Sequence, residues 1–361
     1  MGLGRLPTIE AALSRPSNGF AVTRLALALA VVVSHAFSVT TGHVGDEPLA
    51  AATGFTLGEH AVNGFFAISG FLVTMSFARR GWRDYALSRA LRIVPGLVVA
   101  TLIVGLLIGG ALTRLDLAAY LQDPGLWRFV SSTVTTFKSN TVLPGVFADN
   151  PFRFPMGTVW TLKYEVLCYG GVMVAGLAGL LRSRRFAAGL AAALFVAVLL
   201  LDVLLPGAGK GQQTALRLPF LFAAGGALYL WRDRVRLSGL LAAILFGAAI
   251  LALRSPAYQA LLFAAEAYGI LWLSLSPVLA RPAFDLRHDF SYGTYLYGWP
   301  VQQALRQIFP TASAVALLAP SLLLTLGIAA LSWFAVERPA LALKARALGR
   351  RTLRTIEPAA P

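Results

Sequence analysis

This 361-residue chain is poor in cysteine, in histidine and in charge. Its one cysteine, Cys168, excludes an intramolecular disulfide and any cysteine-based zinc cluster; inside an apolar run it reads as core filler. Of the four histidines, His43, His60 and His288 are scattered through connecting segments and make no metal-ligand spacing, so no metal site is expected. Charged residues are only 13% of the chain. Internal repeats, low-complexity tracts and a second soluble domain are also missing.

What fills the space is apolar: 57% of residues are hydrophobic and mean hydropathy is +0.69. Long apolar runs recur throughout, which excludes a soluble domain and defines an all-α, polytopic integral membrane bundle. Ten spans are predicted, beginning near Phe20, Ala61, Leu91, Trp160, Phe186, Leu216, Leu237, Tyr258, Phe290 and Ser313. The first is long enough to span and carries Arg24 and His35, which favours a retained helix over a cleaved signal. The net charge of +15 would suggest nucleic acid in a soluble protein. Here 22 of the 31 basic residues fall in clusters on one side of the ten-span topology, so no nucleic-acid partner is expected and both termini are read as cytoplasmic. The chain divides into a cytoplasmic segment (1–18), a transmembrane domain (19–342) and a basic cytoplasmic tail (343–361). Its longest segment between spans, from about Thr113 to Val159, holds "FADNPFRFPMGTVW" and reads as a loop or re-entrant cover on the outer face.

Ionisable residues within spans are costly and point to function. Arg24 and His35 bracket the run "LALALAVVVSH" and lie eleven residues apart, about 20° past three helical turns and about 16 Å along the axis. They share one face at opposite ends of a span. Snorkelling of Arg24 and an interfacial His35 is the plainer alternative. Glu165, in "WTLKYEVLCY", lies about 7 Å into the outer half of the fourth span, near the depth of His35. It is the expected partner that orients the imidazole; an internal ion pair is the alternative.

On the cytoplasmic side, "ARRGWRDYALSRALRIVP" holds Arg79, Arg80, Arg83, Arg89 and Arg92, with Arg89 and Arg92 on one helix face. Planar guanidinium groups suit bidentate phosphate binding, against the alternative of topology bias and anionic lipid. Ala67, Ser69 and Gly70 favour close helix packing. The ninth span carries Tyr292, Tyr295, Tyr297 and Trp299 and should break at Gly298 and Pro300; an aromatic belt is one reading, and Gln302 and Gln303 point instead to a polar cavity wall. Glu266, mid-span in "LLFAAEAYGI", has no evident partner.

Arg24 with His35, "NGFFAISGFL", "SRALRIVP", "GTVWTLKYEV", "SYGTYLYGWPVQQ" and "WFAVERP" together resemble the acyltransferase 3 family of membrane acyltransferases, in the family's order over about residues 18–342. The resemblance implies O-acyl transfer, commonly of acetyl, from cytoplasmic acyl-CoA to a sugar hydroxyl of an extracytoplasmic polysaccharide or glycolipid, in the bacterial inner membrane. It implies no permanently bound cofactor, acyl-CoA being a substrate. By the same resemblance His35 is catalytic, Arg24 is essential, Glu165 matches the acidic position after the fourth-span tryptophan, and Arg89 and Arg92 belong to the donor site. Asn63, Trp160, Tyr292 and Tyr295 are the expected acceptor contacts. Asn63 stands where many relatives have Asp, and Gly298 where many have His. The competing reading is a sugar or lipid-linked sugar transporter, for which intramembrane charges and a broken helix would serve equally.

Overall fold

The computed structural model describes residues 6–347; Arg5 and the tail arginines Arg350, Arg351 and Arg354 lie outside the described residues. The chain is helical, with no strand among the described residues. The long helices are α1 (Phe20–Thr41), α2 (Leu57–Leu102, continuing to Leu112), α3 (Trp160–Leu177), α4 (Arg184–Leu204), α5 (Lys210–Leu230), α6 (Gly239–Leu251), α7 (Tyr258–Ser274), α8 (Ser291–Ile308) and α9 (Ala314–Ser332, continuing to Ala347).

Helix therefore stands at each expected place, the second and third spans being two arms of α2. Length and apolarity qualify four stretches among the described residues to cross a membrane: Phe20–Thr41, Leu57–Leu112, Arg184–Leu204 and Ala314–Lys344. The ten-span count is thus not reproduced on those criteria. The remaining helices are short, such as α6 and α7, or diluted by charged residues such as Lys163 and Glu165 in α3. Leucines of α4, α6 and α9 face outward, among them Leu190, Leu204, Leu240, Leu323 and Leu331, as lipid contact requires.

α2 reverses at Gly81, whose φ of 79° and ψ of 172° are open to glycine and strained for other residues. Its first arm starts beside His35, where a Cβ on Gly58 would touch the imidazole. Its second arm passes Asp289 at Arg92 and ends where Gln307 of α8 donates to the Leu112 carbonyl (2.8 Å). A Cβ on Gly70 would overlap the Phe222 carbonyl of α5, and one on Gly225 the Ala67 carbonyl of α2. The small residues of "AISG" thus let two helix backbones touch.

α1 and α8 lie side by side and run in the same direction. At one end Arg24 meets Asp289 and Ser291; at the other His35 meets Trp299. These are called the arginine end and the histidine end below. The 182–185, 232–237 and 275–281 connections and the N-terminal segment gather in a second cluster of contacts, through Arg184–Asp233, Arg232–Glu10, Arg15 to the Leu275 carbonyl and Ser17 to the Ala280 carbonyl.

α8 is continuous through Pro300, contrary to the expected break. Gly298 serves packing, since a Cβ there would press on Val32 of α1. Gln302 donates to the Val32 carbonyl (2.7 Å), and Gln303 donates to the Phe152 carbonyl (2.8 Å) while its own carbonyl accepts from Asn150 (2.8 Å). The two amides tie α8 to α1 and to the 150–156 loop; they do not line an open wall.

Candidate active site

At the histidine end, His35 points Nδ1 at Oε1 of Glu47, 3.0 Å away. Glu47 comes from the 42–56 connection between α1 and α2, and its carboxylate also accepts the hydroxyls of Ser34 and Ser38, the residues one before and three after His35 on α1. Burial alone would raise the Glu47 carboxyl; the hydrogen bond and charge of His35 and the two serine hydroxyls outweigh it and hold the group below the ordinary glutamate range. With Nδ1–H donated to Glu47, the lone pair is left on Nε2. That nitrogen has no hydrogen-bond partner among the described residues, and the side chain keeps 23% exposure while Glu47 keeps 2%. Ser34 also accepts the Gly58 N–H (2.8 Å), fixing the start of α2 against the site.

Trp299 meets the His35 ring edge-on at 5.1 Å. Its indole N–H donates to the Phe154 carbonyl (2.9 Å), and Phe154 stacks on it at 5.3 Å. The aromatic stretch read as a loop or re-entrant cover is therefore seated beside the imidazole.

The expected partner, Glu165, is not the one that orients His35. It accepts the Tyr169 hydroxyl from the next turn of α3 and lies 3.5 Å from Ser69 Oγ. An i,i+4 hydroxyl and a neighbouring helix serve this carboxylate, whereas Glu47 reaches the imidazole from a loop.

At the arginine end, Asp289 takes Arg24 at 2.6 Å and Arg92 at 2.8 Å, and Glu337 lies 3.7 Å from Arg92. Ser291, the first residue of α8, adds its N–H (3.1 Å) and hydroxyl (2.5 Å) to Asp289. Burial opposes the Asp289 charge, but the two guanidinium groups and Ser291 hold its carboxyl far below the ordinary aspartate range. Glu337 closes a π-helical stretch, Trp333–Glu337, which turns it toward Arg92. Arg89 lies over the Tyr169 ring at 5.6 Å, and its buried Nε has no partner. Arg79, Arg80 and Arg83 are exposed, so the five arginines divide into two pointing inward and three facing outward.

The expected acceptor contacts scatter. Tyr292 donates to the Ile93 carbonyl (2.8 Å) and Tyr295 to the Thr158 carbonyl (2.6 Å), so both hydroxyls are committed to backbone. Asn63 is fully buried and donates to Glu266 (2.7 Å); Trp160 packs edge-on against Tyr164. Sequence reasoning missed Glu47, Asp289 and Glu337. The last sits in the quoted "WFAVERP", the only one of the three with a local signal.

A helical membrane bundle presenting a carboxylate-oriented imidazole nitrogen is equipped for proton transfer from a hydroxyl or for attack on an acyl carbon. Residues 18–336 match the family described as "Acyltransferase domain", and the chain belongs to that family. It is 26% identical to the "O-acetyl transferase" of Shigella phage Sf6, over 80% of this chain and 86% of the phage protein. It is 31% identical to "Nodulation protein 10" of Rhizobium leguminosarum bv. viciae, over 92% of this chain and 96% of that one. No solved structure matches the chain.

Proposed function

We propose that this protein is a transmembrane O-acyltransferase of the bacterial inner membrane, which carries an acyl group, acetyl in the simplest case, from cytoplasmic acyl-CoA to a carbohydrate hydroxyl on the outer side. The observation that carries the reading is the free Nε2 of His35 behind its Glu47 contact. The family membership and the phage relative's name support acyl and acetyl chemistry. The clustered basic residues support a cytoplasmic arginine end and cytoplasmic termini.

In this reading the phosphates of CoA meet the exposed Arg79, Arg80 and Arg83, with Arg89 deeper. The pantetheine arm passes Arg24 and Arg92 and brings the thioester to the histidine end. Nε2 takes the proton of the sugar hydroxyl as its oxygen attacks the thioester carbonyl. The C–S bond then breaks, and the CoA thiolate recovers that proton from the imidazolium. Glu47 fixes the tautomer and compensates the imidazolium charge, so it is a positioning residue. General-base help of this kind is worth about 10²- to 10⁴-fold. Deleting the gene and comparing ester-linked acyl groups on surface polysaccharide by NMR tests the assignment. Loss of one O-acyl signal, restored by the intact gene, is expected; an unchanged ester spectrum would reject the carbohydrate acceptor.

A further inference from the structure

Glu266 is a carboxylate buried in the middle of α7, where a membrane helix gains nothing from a charge. It accepts from His60 Nδ1 and from Asn63 Nδ2, both on the first arm of α2. With Nδ1–H given to Glu266, the neutral His60 ring has its lone pair on Nε2, 2.8 Å from the Thr53 hydroxyl, whose proton also has the Leu49 (3.0 Å) and Phe55 (2.9 Å) carbonyls within reach. The wiring repeats that of Glu47 and His35 in that a carboxylate holds Nδ1 and leaves Nε2 for a second partner. At His35 that place is open; at His60 it is filled by the protein.

Thr53 belongs to the same connection as Glu47. Its carbonyl accepts the Tyr258 hydroxyl of α7 (2.9 Å), and its Oγ1 accepts the Phe55 N–H (3.2 Å). Phe55 packs edge-on against Phe263 of α7 at 5.3 Å, with Arg217 of α5 over its ring at 5.2 Å. Arg217 is 2% exposed and pairs with Glu59 (3.3 Å), whose carboxylate also caps the Thr56 N–H (2.9 Å). Of the two partners of Glu266, His60 leads on to Thr53 in the segment that delivers Glu47, while Asn63 ends the network on α2. The Thr53 oxygen is engaged with backbone as well as with His60, which makes it a fastening point and no nucleophile.

We infer that Glu266, His60 and Thr53 form a clamp that positions Glu47 on His35, a role in the acyl-transfer step for residues remote from it. The inference rests on the function proposed above for its catalytic consequence, but the clamp itself is a statement about the 42–56 segment. A displacement of about 1 Å at such a site costs on the order of 10²-fold in rate.

Hydrogen–deuterium exchange on the full chain in lipid nanodiscs, with acyl transfer kinetics on the same samples, tests it. Thr53→Val and Glu266→Gln are expected to speed exchange selectively in residues 43–56 and to lower kcat by about 10²-fold with the KM for acyl-CoA unchanged. Thr53→Ser keeps the hydroxyl and restores both readouts. Unaltered exchange in 43–56 for Thr53→Val, in a folded sample, overturns the clamp. So does faster exchange with unchanged kcat, since Glu47 would then be held otherwise. If His35→Ala leaves transfer intact, the function proposed above fails, while the exchange result still decides whether the clamp exists.

Discussion

His35 and Glu47 are joined at 3.0 Å across twelve residues of chain, a helix contributing the imidazole and the following loop its carboxylate. The loop carboxylate, and no residue of another span, sets which imidazole nitrogen is free. Two serines on either side of His35 complete its solvation, so the dyad is assembled almost entirely from one stretch, 34–47.

Glu47→Gln should retain the fold and lose about 10²-fold or more in kcat, because an amide offers Nδ1 either acceptor or donor and no longer compensates the imidazolium. Steady-state kinetics of the purified variant checks this. A retained kcat would leave Glu47 a loop anchor.

The depressed Glu47 carboxyl has a signed effect on stability. Its folded value lies below the reference 4.5, so its contribution is fully present above about that pH and disappears as pH falls through the lower, folded value. The difference in melting temperature between wild type and Glu47→Gln should shrink as the pH falls below about 4.5. A difference that grows on acidification would contradict the carboxylate's assigned role.

Asp289 shares one carboxylate between Arg24 and Arg92. Asp289→Ala leaves Arg24 with no carboxylate and Arg92 with Glu337 alone, and should cost about 3 kcal/mol in detergent-monitored unfolding. Adding Arg24→Ala should cost less than the sum of the single changes. Strict additivity would mean that the two side chains do not share an energetic unit.

Much of the framework was legible in the sequence because apolar runs report helices directly, and helical periodicity placed Arg24 and His35 on one face. The charged partners were not. Glu47 stands beside Asp46 in a short loop, Asp289 follows His288 in another, and no local pattern says which carboxylate meets which helix. Pro300 misled in the other direction: α8 runs through it, and Gln302 and Gln303 spend their amides on α1 and the 150–156 loop. The broken helix that made a transporter plausible is therefore absent from α8.

Gly70→Ala should separate α2 from α5, since a methyl group there overlaps the Phe222 carbonyl. A cost of about 1–3 kcal/mol is expected for such overpacking, read as a lower melting temperature and folded yield. Gly170→Ala, where nothing lies within reach of a Cβ, is the control and should be near neutral.

Arg79 and Arg80 are exposed at the arginine end. Replacing both with Gln should raise the KM for acyl-CoA about tenfold, the equivalent of ~1.4 kcal/mol of charge-assisted contact, with little change in kcat. The effect should fade in high salt. An unchanged KM would move the donor phosphates elsewhere.

The most direct test of the account is transfer of a labelled acetyl group from acetyl-CoA to a carbohydrate acceptor by the full chain in proteoliposomes, wild type against His35→Ala. Loss of at least about 10²-fold in ester formation, with acetyl-CoA still bound, is the expected result. Ester formation by His35→Ala at the wild-type rate would contradict the assignment of its Nε2 as the base.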